Sequence, residues 1–225
     1  MTAGVQLLVP IKPLHVAKSR LLGSTEDGRT RDHAALVTAV ARDTVSAARD
    51  AAGVRTIVVV TSDPHLSTCF AAEGIEVLPD SPSAGLNAAL QHADGVLRGR
   101  NRNARIGALQ ADLPALRGAD LEAALDAAGG ERAFCPDRQG TGTTLLVAAA
   151  GTPLAPRFGP GSARAHVEDA KRLDGPWETL RCDVDTAADL VAATELGLGP
   201  RTSARLRGVP IESTDSAPGA RQWET

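Results

Sequence analysis

The chain has 225 residues, a net charge of −3 and a hydrophobic fraction of 43%, which is typical of one α/β domain with a full core. Its negative charge and its aromatic content of 2%, with no tyrosine, argue against binding of polymeric nucleic acid. No apolar stretch has the length of a secretion signal or a membrane span, so we expect a cytoplasmic protein without a membrane partner. The three cysteines are scattered and are expected in the core.

The chain opens with an apolar run that ends in a basic loop. Val5–Val9 has the length of a buried strand, which Pro10 ends, and Lys12, Lys18 and Arg20 follow. Ligands of open α/β sheets bind where strands end, so these cations are placed to bind phosphate oxygens. The loop lacks the glycines of a Walker-type motif, and a solvated basic loop without a ligand is the alternative.

The rest of the chain alternates helical and strand patterns, which is typical of βαβ units. Helices are predicted at Arg31–Asp50, Pro64–Ala72, Gly85–Leu97, Asp120–Ala128, Ser162–Arg172 and Thr186–Leu196, the last capped by Thr186. Strands are predicted at Val5–Val9, Arg55–Thr61, Ile75–Leu78, Ile106–Gln110, Ala133–Cys135, Thr144–Ala149 and Leu180–Val184. The fifth and sixth strands are close enough in sequence to pair against the parallel order. We therefore expect a three-layer α/β domain with a mostly parallel sheet over residues 1–209, followed by a loose polar tail over 210–225.

Three aspartates follow predicted strands. Asp112 comes after the fourth strand, and the Leu-Pro pair behind it keeps it out of a helix. Asp183 and Asp185 lie at the end of the last predicted strand, where alternation places both on one face. Mg²⁺ is usually held by one or two carboxylates together with phosphate oxygens and water, so these residues predict a metal-bound triphosphate. For Asp183 and Asp185 the alternative is capping of the helix that follows.

Two glycine-containing loops and one asparagine add candidate contacts. Gly140–Thr144 precedes a strand and Arg157–Ser162 precedes a helix, so their backbones can approach an anion closely, although turns without a ligand are the simpler explanation. Asn87 opens a helix, as its cap or as a contact to a nucleotide. The five histidines show no metal-ligand spacing, and most of them are expected at the surface.

Six motifs occur in a fixed order: Pro10–Pro13 with Ala17–Leu21, Gly85–Asn87, Gln110–Pro114, Asp137–Thr143, Arg157–Ser162 and Cys182–Thr186. Together they resemble the phosphoenolpyruvate/2-phospho-L-lactate guanylyltransferases of deazaflavin coenzyme (F-420) biosynthesis. The resemblance covers about residues 5–200, and the high content of Ala, Arg and Gly resembles the actinobacterial branch.

This resemblance implies a Rossmann-like, GT-A-like nucleotidyltransferase fold that moves GMP from GTP onto phosphoenolpyruvate and releases diphosphate. It implies Mg²⁺ on Asp112 and Asp185, with Lys18 and Asp112 in catalytic roles. The nucleotide would contact Lys12, Lys18, Arg20 and Asn87. The acceptor acid would contact Thr143, Gly159 and Ser162.

Several alternatives stay open at this point. The acceptor acid is 2-phospho-L-lactate, 3-phosphoglycerate or another phosphorylated compound in one alternative, and in another the chain is a non-catalytic nucleotide-binding subunit. The resemblance also implies a downstream transferase that uses the activated product. The sequence does not decide whether the chain forms a homodimer.

Overall fold

Residues 4–14 and 27–208 are described by a computed structural model of the protein. Its strands are Val5–Pro10 (β1), Val54–Val60 (β2), Glu76–Leu78 (β3), Arg105–Leu109 (β4), Ala133–Pro136 (β5), Thr143–Val147 (β6) and Lys171–Arg172 (β7). They form one sheet in the order β3-β2-β1-β4-β6-β5-β7. Strand β6 is antiparallel to both β4 and β5, and the other pairs are parallel. The predicted mostly parallel sheet, with its antiparallel pair, is confirmed.

Helices cover both faces of the sheet. They are Asp27–Arg49 (α1), Pro64–Ala72 (α2), Leu86–Arg100 (α3), Gly118–Ala127 (α4), Ser162–His166 (α5), Glu178–Arg181 (α6), Ala187–Leu196 (α7) and Pro200–Leu206 (α8). Alternation along β1 sends Leu7 and Val9 to the core shared with α1, α2 and α4, and sends Leu8 to the core shared with α3 and α5. The expected three layers are therefore present.

Local sequence explains where several helices begin. Asp63 caps α2 through bonds from the N–H groups of His65 and Leu66, and Pro64 occupies the first helical position, where a missing N–H costs nothing. Thr186 caps α7 as predicted, in a capping box with Asp189.

Two predicted elements are wrong in extent or type. The helix predicted over Ser162–Arg172 ends at His166, because Lys171 N and Leu173 N donate to carbonyls beside and within β5, which draws the chain into β7. The strand predicted over Leu180–Val184 does not form. The helix α6 covers its first residues, and the remainder has only isolated backbone bonds, such as Val184 N to Asp112 O at 2.9 Å, and no ladder.

The sequence reading missed α8, because this segment is poor in apolar residues. Its N-terminus is capped from a distance: the buried carboxylate of Asp43 in α1 accepts bonds from Arg201 N at 3.2 Å and Thr202 N at 2.7 Å. Gly199 has no room for a side chain, because a Cβ there would collide with the Asp43 carboxyl group. A helix start capped by a side chain 158 residues away leaves little local signal.

The cysteines follow the prediction in part. Cys135 and Cys182 are buried and Cys69 is partly exposed, all as free thiols. Within residues 4–14 and 27–208, no helix combines the length and the apolar character that a membrane crossing requires.

Candidate active site

A cleft of about 800 Å³ opens where β1 and β4 end. Ile11 and Lys12, directly after β1, form part of its wall, and Gln110–Asp112, directly after β4, form another part. A more open depression of about 890 Å³ beside α2 and β3 has one charged side chain in its lining, that of Glu76. The cleft after β1 and β4 has the clustered charge and the position at strand ends that a ligand site of an α/β sheet requires.

Five aspartates line the cleft. Four of them, Asp112, Asp137, Asp183 and Asp185, are here called the carboxylate cluster, and the fifth is Asp80. Burial, together with the negative charges of Asp112, Asp185 and Asp137, raises the pKa of Asp183 to about 7. The like charges are thus close enough to oppose one another's ionisation. A cation among them would relieve that repulsion.

The donor set of the cluster fits a divalent cation that arrives with another ligand. Within the described part of the chain, no three His, Cys, Asp or Glu side chains are grouped as a metal-ligand set. Carboxylate oxygens are hard donors, and Mg²⁺ typically takes one or two of them while phosphate oxygens and water complete the octahedron. The residues present therefore fit a cation that binds together with a phosphate-bearing ligand, as the aspartates predicted.

Thr44 of α1 anchors the turn that carries Asp112 through hydrogen bonds to its backbone. The Thr44 side chain is fully buried and its Oγ1 accepts a bond from Leu113 N at 3.1 Å. Two carbonyl oxygens, Ala111 O at 3.1 Å and Val40 O at 3.0 Å, share its hydroxyl proton. The backbone of Asp112 in turn accepts the bond from Val184 N, which brings the segment with Asp183 and Asp185 alongside. Sequence reasoning missed Thr44, since its partners in the Asp112 turn lie 67 and 69 residues away.

Helix capping does not explain Asp183 or Asp185. The cap of α7 is Thr186, whose Oγ1 accepts from Asp189 N at 3.3 Å, while Asp189 Oδ2 accepts from Thr186 N at 2.9 Å. The capping alternative is therefore wrong. Both side chains line the cleft, although the extended strand expected to orient them is absent.

Asp137 of the carboxylate cluster also organises the loop between β5 and β6. Its Oδ1 accepts from Thr141 N at 2.8 Å and its Oδ2 accepts from Gly142 N at 2.7 Å. Gly142 must be glycine for this loop, because a Cβ there would collide with the Asp137 carboxylate. The loop thereby presents Thr143 to the cleft.

Thr143 and Ser162, here called the hydroxyl pair, come together in the wall of the same cleft. Ser162 Oγ donates to Thr143 Oγ1 at 3.1 Å, and His166 Nδ1 lies 2.9 Å from the same oxygen. All three side chains are more than nine-tenths buried. The family resemblance implied Thr143 and Ser162 as contacts of the acceptor acid, but His166 was missed, because most histidines were expected at the surface. Among the histidines that the structure describes, His33 and His166 are buried and His65 and His92 are exposed.

The loop before α5 adds backbone groups to the hydroxyl pair. Gly159 and Gly161 adopt left-handed φ values of 136° and 72° and line the cleft. The first N–H groups of α5 are already used, since Ser162 N donates to Gly159 O and Ala163 N donates to Thr141 O. The expected anion site made of free N–H groups at this helix start is therefore absent. Contacts from this loop must come from its hydroxyl and from the glycine backbone.

Asn87 holds this loop. Its Nδ2 donates to Phe158 O at 2.9 Å and its Oδ1 accepts from Phe158 N at 2.8 Å, so the amide pairs with both backbone groups of one residue. It does not cap α3, whose N-cap is Gly85. The predicted contact between Asn87 and a nucleotide stays a prediction.

Of the predicted phosphate-binding cations, Lys12 is exposed and lines the cleft, whereas Lys18 and Arg20 lie outside the described residues. Asp63 anchors the beginning of this basic segment, accepting a bond from Leu14 N at 2.9 Å. Burial raises the pKa of Asp63, but backbone bonds from Leu14, Leu66 and His65 outweigh that effect and leave the pKa below its ordinary value.

Solved structures of known proteins share this fold. A putative nucleotide-diphospho-sugar transferase of Desulfovibrio desulfuricans G20 aligns with a TM-score of 0.67 and 19% identity, covering 92% of this chain and 95% of that chain. A 4-diphosphocytidyl-2C-methyl-D-erythritol synthase aligns with a TM-score of 0.59 and 14% identity, covering 87% and 99%. A protein of Mycobacterium tuberculosis H37Rv in complex with manganese aligns with a TM-score of 0.54 and 20% identity, covering 87% and 100%. At these identities the likeness shows the fold alone, and it confirms the expected Rossmann-like type.

Proteins found by sequence comparison are more similar to this chain, at 45% and 48% identity, than these structural neighbours are. A phosphoenolpyruvate guanylyltransferase of Salinispora arenicola is 48% identical over 207 residues, covering 90% of this chain and 94% of its own length. One of Thermomonospora curvata is 45% identical over 218 residues, covering 95% and 92%. Residues 5–219 match the family described as guanylyl transferase CofC like. The resemblance seen in the motifs is confirmed, and the chain belongs to the CofC-like guanylyl transferase family.

Proposed function

We propose that this protein transfers GMP from GTP to phosphoenolpyruvate, giving enolpyruvyl-diphospho-5'-guanosine and diphosphate, as a step of coenzyme F-420 biosynthesis. Its family and the phosphoenolpyruvate guanylyltransferases that are 48% and 45% identical to it support this proposal. The structural observation that carries it is a single cleft holding both the carboxylate cluster and the hydroxyl pair. One part of the cleft suits a cation-bound triphosphate, and the other suits a small anion.

The reaction joins two anions. A phosphate oxygen of the acceptor acid attacks the α-phosphorus of GTP, the bond from that phosphorus to the bridging oxygen breaks, and diphosphate leaves. Because the attacking phosphate is already ionised at pH 7, no general base is required. What the protein must supply is alignment of the reactants and neutralisation of their mutual repulsion.

The hydroxyl pair and the glycine backbone before α5 hold the acceptor acid in this proposal. Thr143 and Ser162 offer hydroxyl groups, and Gly159 offers a backbone N–H, to the phosphate and carboxylate oxygens of the acid. Asn87 keeps this loop in place through its two bonds to Phe158. Bonds from neutral donors to an anion are stronger than neutral pairs, so a few of them suffice.

Asp112 and Asp185 are proposed to hold the cation, which we take to be Mg²⁺. The manganese complex of the structural neighbour supports a divalent ion. Bound there with the triphosphate, the ion would neutralise charge on the reacting and leaving phosphates. Lys18, Arg20 and Lys12 would bind triphosphate oxygens, with Lys18 in a catalytic role. We further propose that the reaction occurs in the cytoplasm and that a downstream transferase consumes the activated product.

The test is diphosphate release from GTP and Mg²⁺ with phosphoenolpyruvate, compared with 2-phospho-L-lactate, 3-phosphoglycerate and no acid. We expect release with phosphoenolpyruvate, little release with CTP or ATP in place of GTP, and a product whose mass equals GMP joined to the acid. Release only with another acid would keep the mechanism and change the substrate. Tight GTP binding without release with any acid would instead identify a nucleotide-binding subunit.

A further inference from the structure

His166 lies behind the hydroxyl pair and is fully buried, at 0% exposure. Its ring packs between Phe134 and Phe158, with ring centroids 5.8 Å and 5.3 Å apart. A polar ring in such apolar surroundings is costly unless both nitrogens have hydrogen-bond partners. Both do, and these partners determine where its proton resides.

The backbone of Arg157 fixes the tautomer. Arg157 N donates to His166 Nε2 at 3.0 Å, so this nitrogen carries a lone pair and not a proton. Burial, together with the positive charges of Arg132 and Arg157, lowers the pKa of His166 to about 4, so the ring is neutral at pH 7. A neutral ring without a proton on Nε2 carries it on Nδ1. The Nδ1–H group therefore donates to Thr143 Oγ1, 2.9 Å away.

The Thr143 hydroxyl then has one direction left for its own proton. Its oxygen accepts from His166 Nδ1–H and from the Ser162 hydroxyl, which occupies both lone pairs. The remaining O–H points away from both donors, and Thr143 lines the cleft. A threonine without these two donors would be free to rotate its hydroxyl and to present a lone pair, which repels an anion.

We propose that His166 is a positioning residue that, through its Nδ1–H group, holds the Thr143 hydroxyl as a hydrogen-bond donor towards an anionic oxygen of the acceptor acid. This inference rests on the proposed function, because the acid supplies the oxygen that receives the bond. His166 does not itself line the cleft, so its effect reaches the substrate only through Thr143.

Two substitutions separate the hydrogen bond from the packing. His166→Phe keeps a ring between the two phenylalanines and removes the donor. His166→Asn loses the ring and places an amide N–H where Nδ1–H was. For His166→Phe we expect KM for phosphoenolpyruvate to rise about 10- to 100-fold, the effect of losing one bond to a charged group, while KM for GTP stays within about twofold. For His166→Asn we expect KM for the acid within about threefold of wild type, although its thermal midpoint is the lower of the two because of the cavity.

A double-mutant cycle tests whether the effect passes through Thr143. In a Thr143→Val background, His166→Phe should add less than about twofold to KM for the acid, since no hydroxyl remains to be oriented. The matched control is Thr144→Val, which removes the hydroxyl of the neighbouring buried threonine in β6. That hydroxyl donates to Cys135 O at 3.4 Å and is not part of the cleft, so wild-type KM is expected.

The outcomes are distinct. The inference is supported if KM for the acid rises in His166→Phe, which lacks the N–H donor, and not in His166→Asn, which has the lower thermal midpoint. It also requires that the effects of His166→Phe and Thr143→Val on this KM are not additive. Wild-type KM in His166→Phe, equal losses in both His166 variants, or additive effects with Thr143→Val would overturn it while leaving the proposed function intact. A wild-type protein that releases diphosphate with none of the acids would overturn the proposed function and this inference together.

Discussion

The two parts of the cleft are organised in opposite ways. The hydroxyl pair is held by bonds within the protein: Ser162 and His166 both contact Thr143, and Asn87 holds the adjoining loop. The carboxylate cluster gathers like charges, and burial together with these charges raises the pKa of Asp183 to about 7. One part is preorganised before any ligand binds, whereas the other is electrostatically unfavourable until a cation binds.

This difference indicates which part of the cleft the protein organises by itself and which part depends on the bound ligand. The acceptor acid is small and has few atoms with which to order a loop, so the protein orders the loop in advance. GTP is large and brings its own charge together with a cation, so the protein can leave repulsion in place for that ligand to relieve. Substitutions in the two parts should therefore have different signatures.

The largest effect is expected at the carboxylate cluster. Asp112→Asn and Asp185→Asn should each lower kcat/KM about a thousandfold, equivalent to about 4 kcal/mol, because each removes a ligand of the proposed cation. The thermal midpoint should stay equal or rise, since each change also removes a repelling charge. Diphosphate release and thermal unfolding measure the two effects, and the exposed Asp50→Asn is the control. A folded Asp112 or Asp185 variant with wild-type turnover would rule out that residue as a metal ligand.

In the preorganised part of the cleft, the buried His166 should make the free energy of unfolding depend on pH. The pKa of His166 is about 4 in the fold against an ordinary value of 6.5, so between these pH values the unfolded chain binds a proton that the folded chain does not. The contribution of His166 to the free energy of unfolding should therefore rise as pH increases through this window, by on the order of 3 kcal/mol.

Urea unfolding at several pH values between 4 and 7 tests this dependence. The raised pKa of Asp183 contributes the opposite slope in this window, so the contribution of His166 is the difference between wild type and His166→Phe, which should gain less stability, or lose more, as pH increases. The exposed His92→Gln should keep the wild-type slope. If the slope were the same in wild type and His166→Phe, the buried ring would not be the group that titrates.

Thr44→Val should disturb the position of Asp112 in the carboxylate cluster without changing any residue of the cluster itself. Without the hydroxyl, Leu113 N loses its partner and the Asp112 turn loses its anchor, so we expect kcat to fall about thirtyfold, equivalent to about 2 kcal/mol. Thr202→Val is a matched control, because Thr202 is equally buried and its hydroxyl has no hydrogen-bond partner among residues 4–14 and 27–208. Equal kcat values for the two valine variants would argue against the anchor.

The smallest effect distinguishes two roles for Asn87. Asn87→Leu removes both bonds to Phe158, so KM for the acceptor acid should rise about tenfold while KM for GTP is unchanged. Steady-state kinetics with each substrate varied in turn provide the measurement. A rise in KM for GTP alone would support the nucleotide contact that the sequence predicted.

Features with a local pattern were predictable. The β-branched run of β2 and the helical spacing in α1 need only neighbouring residues, and aspartates after strands need only the rule that ligands bind where strands end. What failed depends on distant partners. Strand β7 forms because β5 is beside it, and α8 begins where Asp43 accepts its N–H groups.

The same limit applies to the site. The residue chemistry predicted Asp112, Asp185 and Ser162, the family resemblance added Thr143, and the structure brings all four to one cleft. Thr44 and His166 were missed, because a buried threonine or histidine shows its role only through the residue it contacts. Lys18 and Arg20 lie outside the described residues, so their roles stay predictions.

The bond from α1 to α8 also bears on how the protein is made. Asp43 is synthesised early, but the N–H groups that it accepts belong to Arg201 and Thr202, 158 and 159 residues later. Until those residues leave the ribosome, α1 cannot bury that carboxylate without a costly unpaired charge. Docking of α8 must therefore follow the synthesis of α1 by some 158 residues, and the fold gains its full cooperativity only after α8 has left the ribosome.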